Sequence, residues 1–267
     1  MILKRRVALN NVWLDQVDSR IVITSIEPGD GKESITAVDS AARDGERVTS
    51  NRRKELDIAV RFRILERGKS VSGMQERSEV LEAVNAWAAQ GGTLTVNYKQ
   101  NRRLNVILAQ APGEGSLWDY TKEYQITFRA YDVPFWEDAA ANSQEIGTAA
   151  TGSATVNIGG SARTPVTVYM LNTGSGTINE PSITIGGKTM SFTDLGLEVG
   201  ERLEIMHTAK DLVRIRIRNS GGTYRSAMAK RDITSADDFR PSPGSVAVSY
   251  SAWTTVTTTV YWRCRYL

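Results

Sequence analysis

A strict alternation of apolar and polar residues runs through the first half of the chain. The residues on its apolar face are Leu56, Ile58, Val60, Phe62 and Ile64. Successive side chains of a strand point to opposite faces, so this pattern predicts a strand with one buried face. A second alternation over 124–130 predicts another such strand. Weaker alternations predict further strands at 20–26, 93–98 and 103–109.

One helix is predicted between these strands, over residues 73–90. Ser72 is placed to cap its N-terminus, with Gln75 three residues later as the reciprocal partner. Gly91 and Gly92 supply a left-handed stop at its C-terminus. The helix carries one apolar stripe, formed by Val80, Leu81, Val84, Trp87 and Ala88. A single stripe indicates that the helix docks on a sheet face.

The second half of the chain contains short strand patterns separated by glycine-rich turns. The segments with these patterns are 166–171, 182–185, 202–206, 212–218, 245–249 and 254–265. Short strands at this spacing, without a helix, predict an antiparallel sandwich or barrel. The pair Gly186-Gly187, followed by residues 188–192, predicts a tight hairpin.

These patterns divide the chain into two unlike domains. Residues 1–136 hold most of the charge and the helix, whereas residues 161–267 hold only strands. Residues 137–160 consist largely of Ala, Ser, Gly, Asn and Thr, which is typical of a linker. The fold class is therefore expected to be mainly β, with an α+β N-terminal domain, one helix packed on antiparallel sheets, and a strand-only C-terminal domain.

Composition narrows the functional classes. The chain of 267 residues has one cysteine, Cys264, and one histidine, His207. This excludes an intrachain disulfide and argues against the usual four-ligand zinc site, so we expect no metal and no cofactor. The net charge of +3 is too mild to predict contacts with nucleic-acid bases.

The chain also lacks the apolar segments that direct a protein to a membrane. No run approaches the roughly 18 apolar residues of a membrane span. Lys4, Arg5 and Arg6 are followed by no apolar segment of the kind found in signal peptides. We therefore expect synthesis in the cytoplasm of the host cell.

Motifs for catalysis are weak. Gly186-Gly187-Lys188-Thr189 resembles the end of a phosphate-binding loop, but Ser182 stands where the first glycine is required and no helical pattern follows. A hairpin is the favoured interpretation. His207 has no triad and no nucleophile elbow, and Cys264 lies on an apolar alternating face that is typical of a core residue. We expect no enzyme.

Two basic features are candidate interfaces. Arg52 and Arg53 precede the strand at 56–64, and the residues Arg214, Arg216 and Arg218 form a row on one strand face. Three interpretations of the row remain open: a solvated face that discourages edge pairing, a protein interface, in which arginine is enriched, or a surface for nucleic acid or glycan.

Three segments resemble the distal tail protein (Dit) family of long-tailed, non-contractile bacteriophages. Residues 42–47, a turn that leads into the strand at 56–64, look like the N-terminal hairpin of the family. Residues 126–136 are similar to its strand with an aromatic, Asp/Pro-containing turn. Residues 238–244 and 256–267 resemble its acidic-aromatic Pro-Gly turn and closing strand.

The resemblance implies a ring-forming N-terminal β domain and a galectin-like C-terminal β-sandwich. It implies a homo-hexameric ring at the virion tail tip. Such a ring joins the tail tube protein to a tail-tip or baseplate hub protein, and in some cases to a receptor-binding protein, for host attachment.

A carbohydrate-binding β-sandwich is the alternative function. Sugar sites need an exposed aromatic ring beside polar side chains, and fold alone does not decide function. Trp253 and His207 are the candidate glycan contacts, with Arg214 as a further polar group. A hydrolase has no supporting motif.

Overall fold

The structure is a computed structural model that describes residues 4–29, 31–38, 47–65, 71–113, 123–208 and 210–267. The chain divides into two compact units, Met1–Trp136 (unit 1) and Glu137–Leu267 (unit 2). Strands dominate both units, which confirms the mainly-β class. No helix among the described residues is long and apolar enough to span a membrane.

The described residues of unit 1 form an antiparallel sheet with two helices. Its elements are β1 (Val7–Leu9), β2 (Val12–Trp13), α1 (Leu14–Val17), β3 (Ile21–Pro28), β4 (Lys32–Val38), β5 (Arg47–Ile64), α2 (Val71–Ala89), β6 (Gly92–Val96), β7 (Arg102–Gln110) and β8 (Tyr124–Ala130). The strand order is β2-β1-β6-β7-β8-β5-β3, and β4 also pairs with β5. The predicted strands are therefore confirmed. Residues 42–46, part of the first resembling segment, lie outside the described residues.

Helix α2 packs its apolar stripe inward, as predicted, and all five stripe residues are buried. Trp87 is only 4% exposed. Its ring meets Phe128 of β8 edge-on, with centroids 5.8 Å apart, and its Nε1 donates to the Val12 carbonyl at 3.1 Å. The predicted stop is confirmed by positive φ angles at Gly91 and Gly92. The predicted N-cap is wrong, because α2 begins at Val71 and Ser72 therefore lies within the helix.

Unit 2 consists of strands and one short 3-10 helix. The short strand β9 (Trp136–Asp138) crosses the boundary into it. The other elements are β10 (Asn142–Ile158), β11 (Val166–Asn172), β12 (Ser182–Ile185), β13 (Lys188–Ser191), β14 (Arg202–His207), β15 (Val213–Arg218), β16 (Tyr224–Ser226), a 3-10 helix (Met228–Lys230), β17 (Gly244–Trp262) and β18 (Arg265–Tyr266). The order is β13-β12-β17-β11-β14-β15-β16, and β10 pairs with β17. Gly186 and Gly187 form the β12–β13 hairpin with positive φ, which confirms the hairpin interpretation.

The prediction of a linker at 137–160 is wrong. Most of this segment is strand β10, which pairs with β17 from Asn142↔Trp262 to Ile158↔Gly244. Its core-facing positions are mostly small, and only Ile146, Val156 and Ile158 are buried apolar residues. The alternation is therefore too weak to detect, and the conformation is fixed by a partner strand distant in sequence.

Strand β17 also differs from the prediction, which had two separate strands at 245–249 and 254–265. It is one strand that pairs with β10 along its length, with β12 through 248–251 and with β11 through 256–262. Between the pairs Ala149↔Val256 and Thr151↔Ser251, β10 has one intervening residue and β17 has four, 252–255. The β10–β17 pair therefore turns a corner at this point.

Tyr250 fills the inside of this corner. Its hydroxyl accepts from the Ala149 N–H at 3.2 Å and donates to the Ala149 carbonyl at 3.3 Å. A Cβ on Gly152 would lie 2.6 Å from Cε1 of the ring, and a Cβ on Gly147 would lie 2.9 Å from the hydroxyl. Both glycines are therefore required by the close approach of the Tyr250 side chain.

We predict that Trp87→Ala lowers the stability of unit 1 by about 3–5 kcal/mol, because the buried ring and its hydrogen bond are lost. Thermal and chemical denaturation of the full chain measure this. Trp253→Ala is the matched control, because Trp253 is 78% exposed and its removal should change stability by less than about 0.5 kcal/mol. Equal effects of the two changes would contradict a docked helix.

We predict that Gly152→Ala destabilises unit 2 by about 1–3 kcal/mol, because the added methyl group overlaps the Tyr250 ring. Gly176→Ala serves as its control, since a Cβ at Gly176 meets nothing within 4 Å. Denaturation curves of the two variants should separate clearly. If Gly152→Ala were as stable as the native chain, the corner would not depend on Tyr250.

Candidate functional site

The arginine row lies on the outer face of unit 2 with three tyrosines and one glutamate. The arginine–tyrosine face consists of Tyr169, Arg202, Glu204, Arg214, Arg216, Arg218, Tyr224 and Tyr261. Strand register puts them on one side of the sheet: Tyr169 pairs with Glu204, Glu204 with Arg216, and Arg218 with Tyr224. The intervening residues Ile215 and Ile217 point into the core. The alternation of arginines in β15 is visible in the sequence. The residues that pair with these arginines on neighbouring strands are not.

Glu204 holds this face together. Its side chain is 1% exposed and accepts from Arg202 Nε at 3.0 Å and from Arg216 Nε at 2.8 Å. Burial by itself raises the pKa of Glu204, but the hydrogen bonds and charges of Arg202 and Arg216 outweigh it, so its pKa lies below the ordinary value. Glu204 is therefore a carboxylate at neutral pH, and it fixes two guanidinium groups in place.

Aromatic rings support the same guanidinium groups from the side. The Arg202 guanidinium lies 4.4 Å from the centroid of the Tyr169 ring, and that of Arg216 lies 3.8 Å from the Tyr224 ring. Tyr169 in turn packs on Tyr261, with centroids 4.9 Å apart. Cation–π contacts of this kind restrict the long arginine side chains.

The face keeps an excess of positive charge. Arg214 and Arg218 are exposed, and no carboxylate among the described residues forms an ion pair with either of them. Four arginines thus accompany one glutamate. An ordered, cationic and aromatic surface suits a protein contact with carboxylates, because arginine and tyrosine are enriched in such interfaces.

Arg52 and Arg53, the other candidate interface residues, belong to unit 1, where they lie within β5 and not before the strand as predicted. The side chain of Arg52 lies outside the described residues. Arg53 is half-buried, and its guanidinium lies 5.7 Å from the Phe135 ring. Their role as interface residues stays a prediction.

The candidate glycan residues lie apart within unit 2. Trp253 sits at the β10–β17 corner, and Thr255 beside it accepts from the Thr173 N–H at 3.1 Å, next to the Asn172 end of β11. His207 lies beyond the Ile205–Val168 pair, at the other end of β11. Six residues of β14 separate these ends, about 20 Å at strand spacing. The two side chains therefore do not form one sugar site.

His207 has an unusual environment of its own. Burial lowers its pKa to about 4, and the nearby Arg240 guanidinium adds to this effect, partly opposed by Asp211 and Asp238. Neither ring nitrogen has a hydrogen-bond partner among the described residues. His207 is therefore neutral at physiological pH, and its ring packs against its neighbours.

Other groups with reactive chemistry are structural. Cys264 is buried in the core of unit 2, as predicted, and burial raises the pKa of its thiol. Arg265, 3% exposed, pairs with Asp211 and Glu137, a buried network that the sequence did not reveal. Within the described ranges, no group of three or more His, Cys, Asp or Glu side chains is arranged to hold a metal ion.

The comparisons with known proteins rest on structure alone. No family model matches the sequence, and no curated protein matches it. The chain is similar to the Dit protein of phage SPP1, described as a paradigm of the hub adsorption apparatus in phages that infect Gram-positive bacteria. This similarity has a TM-score of 0.66 at 15% identity and covers 98% of this chain and 99% of that chain.

Two chains of the phage p2 baseplate in its activated conformation are less similar. They have TM-scores of 0.44 and 0.43 at 9% identity. The match to the structure with Sr covers 97% of each chain. The match to the structure with Ca covers 99% of this chain and 98% of that chain. Scores at this level do not establish a common fold. The chain thus shares a fold with the SPP1 Dit protein along nearly its whole length.

We predict that Glu204→Gln destabilises unit 2 by about 1–3 kcal/mol at neutral pH, because two guanidinium groups lose their common carboxylate. The pKa of Glu204 is lowered on folding, so its contribution is complete above the ordinary value of 4.5 and is lost as pH falls through the folded pKa. The difference between native chain and variant should therefore shrink below about pH 4.5.

Denaturation at several pH values measures that difference. Glu180→Gln is the matched control, since Glu180 is exposed. This control should follow the native chain at every pH. A difference for Glu204→Gln that stays constant down to pH 2 would contradict an ionised Glu204.

Proposed function

We propose that this chain is a structural hub at the distal end of a phage tail, where copies of it form a ring. The observation that carries the proposal is the similarity to the SPP1 Dit protein, which covers 98% of this chain and therefore both units. The three sequence segments that resemble the Dit family lie in both units and support it independently of the fold.

In this proposal the two units have different roles. Unit 1 forms the ring, which we expect to be hexameric, and unit 2 lies on its outside as a galectin-like sandwich. A closed ring requires heterologous contacts, in which two different patches of each copy meet. One ring face contacts the tail tube protein, and the other contacts a tail-tip or baseplate hub protein or a receptor-binding protein.

The arginine–tyrosine face is the proposed partner contact of unit 2. Two of its four guanidinium groups, those of Arg202 and Arg216, are already ordered by Glu204, Tyr169 and Tyr224, so less side-chain entropy is lost where these two contribute to binding. Its excess positive charge fits a partner surface with carboxylates. Arg214 and Arg218, which form no ion pair with a described carboxylate, are the groups left to bind them. Carbohydrate binding through Trp253 and His207 gains no support, because these residues lie at opposite ends of β11.

We expect the purified full chain to assemble into a ring with six times the monomer mass of 29.4 kDa. Native mass spectrometry and negative-stain electron microscopy measure the mass and the symmetry. A strictly monomeric chain at a concentration of about 1 mM would contradict a self-assembling ring, because ring interfaces of standard size give affinities far tighter than that.

Antibody labelling of virions that carry this chain tests the location separately. Gold particles should lie at the tail tip. Labelling confined to the head, or absent from intact virions, would contradict the hub.

A further inference from the structure

Strand β10 forms a long edge of unit 2. Among the described residues it pairs with β17 and with no other strand. It is 17 residues long, whereas the mean strand has about 5–6. A strand paired on one side presents a row of unpaired backbone groups on the other.

The register identifies the residues that face the open side. The Ala247 carbonyl accepts from the Gly186 N–H at 3.0 Å, so the backbone of Ala247 faces β12. In a non-hydrogen-bonded antiparallel pair, the backbone N–H and carbonyl groups of both residues point away from the partner strand. Thr155, opposite Ala247, therefore directs its N–H and carbonyl outward. In agreement with this, the Gln144 side-chain amide donates to the Thr155 carbonyl at 3.3 Å.

The same orientation repeats along half of the strand. The register has no shift from Thr151↔Ser251 to Ile158↔Gly244, so Thr151, Ser153 and Asn157 also face outward. All four outward residues are exposed. They span about 20 Å, enough to pair with a strand of roughly seven residues.

The other two sheet edges of unit 2 are protected. Along β13, the Asp232 N–H donates to the Ser191 carbonyl at 3.0 Å, and the Ala236 N–H donates to the Thr189 carbonyl at 2.8 Å, so a loop covers that edge. The opposite edge, β16, has only three residues. Covering and shortening are the usual means of preventing edge-to-edge pairing.

Along residues 151–157 of β10, neither means is used apart from the Gln144 amide on the Thr155 carbonyl, a bond that an added strand would displace. Strand β10 contains no Pro, Lys or Arg, and its single charge, Glu145, lies outside the 151–157 stretch. An exposed sheet edge is the surface to which an extended peptide adds as a further strand.

The inner side of this edge shows which side chains an added strand would carry. Gly152 and Ala154 point toward the core but are only half-buried, whereas Val156 next to them is buried. An added strand would place alternate side chains over these small residues, where apolar groups are favoured. Its other side chains would lie beside exposed Thr and Ser, where uncharged polar groups fit.

We propose that the 151–157 edge of β10 binds an extended segment of a partner protein by strand addition, and that this segment alternates apolar and uncharged polar residues. A second copy of this chain is a poorer occupant, because β10 against β10 would bring Gly152, Ala154 and Val156 against the same three residues and bury little further apolar area, since Val156 is already buried. The proposal does not depend on the ring.

A fluorescein-labelled peptide, Thr-Val-Thr-Val-Thr-Val-Thr, is the probe, and fluorescence anisotropy with the full chain is the measurement. We expect saturable binding that a peptide of the same composition without alternation, Thr-Thr-Val-Val-Val-Thr-Thr, does not reproduce. Ser153→Pro should weaken binding about tenfold or more, because it removes an outward N–H and obstructs the edge. It leaves the bonds to β17 intact, and the preceding Gly152 tolerates a following proline.

A charged variant gives a second, independent measurement. Thr151→Lys with Thr155→Lys should also weaken binding. Thr223→Lys with Thr234→Lys adds the same charge at exposed positions off the edge and should leave binding unchanged. Circular dichroism and denaturation establish that each variant is folded.

Three results would overturn the proposal: no saturable binding by the native chain, binding that Ser153→Pro leaves unchanged, or equal loss in both lysine pairs. Dimers of the native chain that Ser153→Pro abolishes would replace the partner segment with a second copy and so also overturn it. The ring is distinguishable from all of these, because Ser153→Pro should keep the native oligomeric mass.

Discussion

The pairing of β10 with β17 is the interaction on which unit 2 depends. Strand β17 bonds to three strands, β10, β11 and β12. It therefore joins the β12–β13 end of the sheet to the end formed by β11, β14, β15 and β16. The pair continues through a corner that is set by Tyr250 and by the two glycines against its side chain. The corner lies between the part of β17 that pairs with β12 and the part that pairs with β11, so one strand bonds to both neighbours.

The elements that could be predicted from the sequence are those whose own residue pattern specifies their structure. The alternation at 56–64, the apolar stripe of α2 and the Gly186-Gly187 turn each specify their own structure, and all three are present. Strand β10 was missed because Tyr250 occupies the space that larger side chains would fill, which leaves glycine and alanine at positions where an alternation would otherwise be visible. Composition typical of a linker can thus arise from a close contact with a residue about 100 positions away.

The candidate interaction surface was predictable only in part, for a related reason. The alternation of Arg214, Arg216 and Arg218 with buried residues indicated that they share a face. Their partners, Glu204 on β14 and Tyr224 on β16, are determined by strand register, which the local pattern does not contain. For the glycan candidates Trp253 and His207, the sequence shows suitable residue types, but the register separates them along β11.

The separation of β10 and β17 along the chain also affects how unit 2 is made. A ribosome synthesises residues 159–243 after β10 and before β17. At 5–20 residues per second, β10 waits on the order of ten seconds for its partner strand. During that time both of its edges are unpaired, and β11 and β12 lack the strand between them. Unit 1 has a similar gap, because β1 pairs with β6 across residues 10–91, but both of these strands are complete before β10 is synthesised. The unpaired β10 is therefore the part of nascent unit 2 that needs protection from aggregation.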